Sequence, residues 1–194
     1  MKRSLLAFWA LLLAVSTTAL GAPPERVAKG HRLISHSDPA ITIQLPRSAR
    51  YVGADRWDLY GICDAELHLF VEADRHKNVT AFYWIQFERY LPNNTYVYDY
   101  TKDDPVSFAG RPFWKRVRFG STNDPQKPGS DGEHVHQMLA RAGYKLPPNM
   151  NNVRLVHLLD EARRQELMFI YAEASDALDE SITERAMQRI RIAP

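Results

Sequence analysis

The chain has 194 residues, 45% of them hydrophobic, with 25 Lys plus Arg against 23 Asp plus Glu and a single cysteine. That near balance of charge gives no case for a strongly basic surface that would grip nucleic acid or an anionic membrane non-specifically. One cysteine excludes an internal disulfide, so stability has to come from packing.

At the N-terminus Met1-Lys2-Arg3 precedes an apolar run from Leu5 to Val15, then Ser16-Thr17-Thr18 and the small-residue stretch Ala19-Leu20-Gly21. This is the pattern of a cleavable signal peptide over residues 1–22, with the cut expected after Gly21 or Ala22. The apolar run falls short of the roughly 20 residues a membrane-spanning helix needs, and no later run is long enough either. Losing residues 1–22 removes Lys2 and Arg3 and no acid, so the mature chain is close to neutral. A periplasmic or secreted location is expected, and Cys63 is expected to be a buried small hydrophobe.

Residues 23–39, with Pro23, Pro24 and Pro39, predict an extended lead-in to one globular domain over 40–194. Ala40 to Leu45 alternates and stops at Pro46, which predicts a strand. The strongest local signal is a hairpin over 64–90. Ala65, Leu67, Leu69, Val71 and Ala73 alternate with polar neighbours in one arm, and Val79, Ala81, Tyr83, Ile85 and Phe87 do so in the other, around the polar loop 74–78. Pairing Ala73 with Val79 sets Leu67 opposite Ile85 and Ala65 opposite Phe87, which makes one apolar and one polar face.

A turn at 91–94 predicts a third strand over 95–100 with Tyr96, Tyr98 and Tyr100 on one face. Residues 101–112 read as loop, 113–119 as a fourth strand, and 120–129 as a turn-rich connection. Ser130 and Glu133 have capping-box spacing, and Val135, Met138, Leu139 and Ala142 follow at helical spacing until Gly143. After a loop over 145–152, residues 153–160 and 166–174 predict a second hairpin, with an amphipathic helix as the alternative; the β-rich run 167–171 favours strands. Ser181 and Glu184 open a final helix burying Ile182, Ala186, Met187 and Ile190. The fold class expected is α+β, a largely antiparallel meander sheet with about two α-helices packed on one face.

On the polar face of the first hairpin, Asp64, Glu66 and His68 stand across from Glu88, Gln86 and Trp84. Carboxylates and a histidine on neighbouring strands suit acid–base catalysis, since mutual repulsion splits their pKa values. They are also what the wet side of a one-sided sheet carries. Trp114, Arg116 and Arg118 add a cationic, aromatic strip that, with Trp84, could hold a carboxylate, phosphate or sugar acid. His134 and His136, two apart on a helix, point about 200° from each other and do not converge on a metal. No cofactor or metal is expected, and no phosphate loop, nucleophile elbow, paired CxxC or HExxH occurs. The scatter of polar residues favours a non-catalytic exported domain that binds a small anionic ligand or an envelope protein. The alternative is a small extracytoplasmic enzyme, a hydrolase, using Asp64, Glu66, His68 and Glu88.

Overall fold

A computed structural model describes residues 22–194, so all but the last residue of the expected signal peptide lies outside the described residues. In chain order, β1 (Val27–Lys29), β2 (Arg32–Ser35) and β3 (Ile41–Gln44) lead into β4 (Arg50–Leu59), β5 (Cys63–Ala73) and β6 (Val79–Tyr90). Next come β7 (Asp104–Phe108), β8 (Arg111–Ser121), helix α1 (Asp131–Arg141), β9 (Asn149–Leu158), β10 (Gln165–Ala174), helix α2 (Ile182–Arg189) and β11 (Arg191–Ala193). They form a four-stranded sheet, β1-β2-β3-β11, and a seven-stranded one, β4-β5-β6-β10-β9-β8-β7. Mostly antiparallel strands with two short helices make this a β-rich α+β fold.

The expected single meander is broken. β4-β5-β6 and β7-β8-β9-β10 are two up-and-down runs, joined because β10 lies against β6. That pairing takes the edge on which a third strand over 95–100 would have docked. Residues 95–100 instead cross the sheet as irregular chain, tied down by the Tyr98 N–H donating to Arg163 O at 2.8 Å.

The lead-in over 23–39 carries β1 and β2, which pair with each other and with β3. Within 101–112, expected as loop, β7 pairs with β8 through Ala109 and Gly110, both at positive φ (50° and 72°), the geometry of a two-residue hairpin turn. The second predicted hairpin forms as β9 and β10. Ser130 Oγ accepts the Glu133 N–H at 3.3 Å, which caps α1 as the spacing predicts. Cys63 is buried.

The decisive departure lies inside the first hairpin. Ala73 pairs with Val79 as expected, but a bulge beside it sets Glu72 opposite Ala81 and shifts the rest of the ladder by one, placing Leu67 opposite Gln86 and Ala65 opposite Glu88. A slip of this kind is ruinous only when one face is wet. Here both faces are covered. Phe70, Tyr83, Ile85 and Phe169 pack against Leu33 and Ile43 of the small sheet and Ile182 and Ala186 of α2. Leu67, Leu69, Val71 and Phe82 pack against Val135, Met138 and Leu139 of α1. The two helices therefore sit on opposite faces of the large sheet, not on one.

Phe70 tests this two-sided burial, because a one-sided sheet would leave it wet. Phe70→Ala is expected to cost about 3–5 kcal/mol in urea unfolding. A change under about 0.5 kcal/mol would mean that its face is solvated.

Candidate functional site

The bulge separates residues that the alternation grouped together. Glu66 and His68 of β5 turn toward the small sheet, whereas Trp84, Gln86 and Glu88 of β6 turn toward α1. The single polar face expected from Asp64, Glu66, His68 and Glu88 does not exist.

Glu66 is 2% exposed. Its carboxylate accepts the backbone N–H groups of Glu25 (3.0 Å) and Arg26 (2.9 Å), the Arg26 guanidinium (2.9 Å) and His68 Nε2–H (2.8 Å). Burial alone would raise its pKa, but the His68 and backbone donors and the Arg26 charge outweigh it and hold Glu66 at about 2. Because a carboxylate only accepts, His68 carries its proton on Nε2, and its Nδ1 meets Tyr51 Oη at 3.1 Å. Burial and the Glu66 charge push Tyr51 up to about 12, which is the opposite of an activated nucleophile. Arg56 takes both oxygens of Asp64, at 2.8 and 2.7 Å. Asp64, Glu66 and His68 thus fasten the N-terminal segment and the edge strand β4 to β5.

On the α1 side the acids are placed differently. Glu88 stands directly across from Glu166 of β10, and Asp131 in the first turn of α1 adds a third carboxyl. Gln86 Nε2–H and Tyr98 Oη–H donate to Glu88 at 2.5 and 3.1 Å, and Tyr100 Oη–H donates to Glu166 at 2.5 Å. Glu88 keeps some access to solvent as a residue, yet desolvation, followed by the Asp131 charge, pushes its carboxyl up to about 7. Burial and the Glu88 charge lift Glu166 well above the usual carboxylate range, and burial raises Asp131 too. Two carboxyls raised in this way hold protons toward neutral pH. Burial also pushes the adjacent Cys63 thiol up to about 11, so it is not a ready nucleophile.

Two of the three tyrosines expected on a third strand, Tyr98 and Tyr100, form part of a cover over this pair, while Tyr96 is exposed. Tyr90, Tyr98, Tyr100 and Trp114 stack in sequence with centroids 4.4, 6.3 and 6.0 Å apart. The end of the cover is anchored by Asp103, which Arg154 contacts at 2.6 Å and Arg116 also engages.

Beside the cover, α1 and the end of β8 enclose a cleft of about 430 Å³. Its floor is apolar, from Phe82, Trp84, Val135, Met150, Ile170 and Ala172, and its rim carries Arg118, Thr122, Asp124, Asn152 and His136. Among the described residues Arg118 has no ion-pair partner and lies exposed. Burial lowers the pKa of His136, which favours the neutral ring. His134 leaves the other flank of α1, bonding Asp55 Oδ2 at 2.7 Å and stacking on Trp57 at 3.9 Å. Of the four expected ligand-binding residues, Trp84 and Arg118 line the cleft, and Trp114 and Arg116 support the tyrosine cover. The Trp84 indole N–H donates to Gln86 Oε1 at 2.5 Å, which links the cleft to the carboxyl pair through Gln86.

Glu166 and Arg26 were not singled out from the sequence, and His136 was considered only as a metal ligand. Glu166 gains its meaning only from the non-local β6–β10 pairing, and Arg26 from a strand in what reads as a polar lead-in. His136 had a local signal, its place beside Val135 on the flank of the buried stripe.

The carboxyl pair makes stability depend on pH with a definite sign. A carboxyl raised from 4.5 to about 7 stabilises the fold fully below pH 4.5 and loses that contribution as pH rises through 7. Glu66, held at about 2, contributes fully above 4.5 and stays constant in that window. His136 and His157, lowered by burial, act in the opposite sense, so the quantity to read is a difference. From pH 5 to 8 the wild type should lose at least about 2 kcal/mol of unfolding free energy relative to Glu88→Gln/Glu166→Gln. Parallel pH profiles would show that the pair ionises normally.

Compared with protein-family models, curated proteins and solved structures, the chain matches none, so its function rests on the geometry of this site.

Proposed function

We propose that the protein is an exported, non-catalytic binding domain whose ligand, a small molecule with an apolar body and an acidic group, occupies the cleft between α1 and β8. One observation carries this reading: an apolar floor beneath a rim where, among the described residues, the exposed Arg118 guanidinium makes no ion pair although Asp124 lies on the same rim. A volume of about 430 Å³ suits a small ligand. Its apolar part would gain burial against Trp84 and Ile170, and its acid would take the two-pronged hydrogen bonds that guanidinium offers. Neutral His136 and Asn152 add hydrogen-bonding groups that fix orientation. The export part of the reading rests on the charged and apolar pattern of residues 1–22.

The non-catalytic part is supported by the fate of the acid–base candidates, since Asp64, Glu66 and His68 are each consumed by internal partners. A second reading survives through Glu88 alone. Its raised carboxyl, paired with Glu166 and linked to the cleft through Gln86 and Trp84, is the kind of perturbed group that acid–base hydrolases use. Tyr98 and Tyr100 stand over the pair and favour the binding reading.

The test uses protein recovered from the extracytoplasmic fraction, where its N-terminus should read Ala22 or Pro23. A panel of aromatic and branched carboxylic acids, each beside its amide, is screened by thermal shift. An acid present at a hundred times its Kd should add about 2.7 kcal/mol of apparent stability. Arg118→Ala should erase the preference for acid over amide, and Trp84→Ala should weaken both. An acid that shifts all three proteins equally, or a panel that shifts none, contradicts the cleft reading. Turnover of the matching ester that disappears in Glu88→Gln would favour the enzyme.

A further inference from the structure

On the other side of the large sheet, the end of β3 and the end of α2 enclose a second cavity, of about 310 Å³. Gln44, Arg47, Gln188, Arg189 and Arg191 surround it above Leu45 and Pro46, and its lining holds no carboxylate. Local structure explains the convergence. Gln44 pairs with Arg32 on one side and Arg191 on the other, so β2, β3 and β11 bring these residues into one row. Arg189 ends α2, and the chain turns at Ile190 straight into β11, which carries Arg191 into the same wall.

The three arginines are not equivalent. Arg189 is fixed from behind, its Nη1 donating to Glu72 Oε1 at 2.9 Å and to Tyr83 Oη at 3.0 Å. Arg47 and Arg191 are exposed and, among the described residues, make no ion pair. Among the described residues Glu72 is the only acid that engages this wall, and it is taken by Arg189 and by the Tyr83 hydroxyl. With Arg189 paired to Glu72, the uncompensated charge of this wall is that of Arg47 and Arg191, and an anion seated between them would offset it.

We propose that this cavity is a second binding site, separate from the cleft, for a phosphate-bearing ligand. A carboxylate offers about four acceptor positions on two oxygens. Three guanidinium groups and two carboxamides present more donors than that, and they match a group with three or more acceptor oxygens and up to two negative charges. A volume of about 310 Å³ leaves room beyond a bare phosphate ion, which suits a phosphate ester or a pyrophosphate, either soluble or displayed as a lipid headgroup. Near-neutral net charge does not oppose this, since the site is local.

The test measures pyrophosphate binding by titration calorimetry at low salt, and co-sedimentation with phosphatidylcholine vesicles containing phosphatidylglycerol. It compares wild type, Arg47→Ala/Arg191→Ala and Arg118→Ala. Both arginines of the double variant are exposed, so its unfolding midpoint should match wild type. Binding should weaken roughly tenfold or more in the double variant and stay unchanged in Arg118→Ala. Pyrophosphate binding identifies a soluble ligand, and vesicle binding alone identifies a headgroup. Binding in neither arm, retention in the double variant, or an equal loss in Arg118→Ala overturns the proposal. Arg118→Ala alone bears on the cleft, so the two sites fail independently.

Discussion

At Glu66 a carboxylate is sealed between two sheets and stays ionised because two backbone N–H groups, the Arg26 guanidinium and the His68 ring all donate to it. Removing any donor would leave a buried charge short of partners, so the interaction fixes Arg26, and with it β1 and β2, against β5. Arg26 also lies over the Phe87 ring at 4.0 Å, which joins the ion pair to the apolar core. Once the N-terminal strands are held there, the large sheet has no wet side on that face. With α1 over much of the other face, polar side chains on both sides of β5 and β6 have to find partners inside the protein.

The same constraint gives two acids on neighbouring strands opposite fates. Glu66 has charged and N–H donors that outweigh its burial, and its pKa falls; Glu88 is desolvated, feels the Asp131 charge and has only neutral hydrogen-bond donors, and its pKa rises. The first arrangement fastens structure. The second holds two raised carboxyls under Tyr98 and Tyr100. Positive charge is spent asymmetrically too. Arg26, Arg56, Arg116 and Arg154 are paired with acids, whereas Arg47, Arg118 and Arg191 are left at the edges of cavities. Cavities edged by unpaired arginine are where an anion gains most, and both binding proposals rest on that.

Elements with strong local signals were legible. The capped α1, the helix after Ser181 and the hairpin of β9 and β10 all follow from spacing and composition. β4 was not legible, because Arg50–Leu59 mixes charged, glycine and aromatic residues on an edge with no clean alternation. β7 was hidden by Pro105 and by reading Ala109-Gly110 as loop when it is a tight hairpin turn. The larger failure concerned faces. Both Phe70 and Leu69 are buried, as are both Phe82 and Tyr83, so apolar alternation cannot say which core each strand face joins. Only the non-local cover of the sheet decides that, and Trp84 and Arg118, both of which line the cleft, were singled out for their chemistry and not through a correct register.

The one-residue shift between β5 and β6 can be read directly from cross-strand backbone NOEs in isotopically labelled protein. Contacts of Leu67 with Gln86 and of His68 with Ile85 are expected. Contacts of Leu67 with Ile85 and of Ala65 with Phe87 would return Glu66 and Glu88 to one face and contradict the separation of the two acid sites.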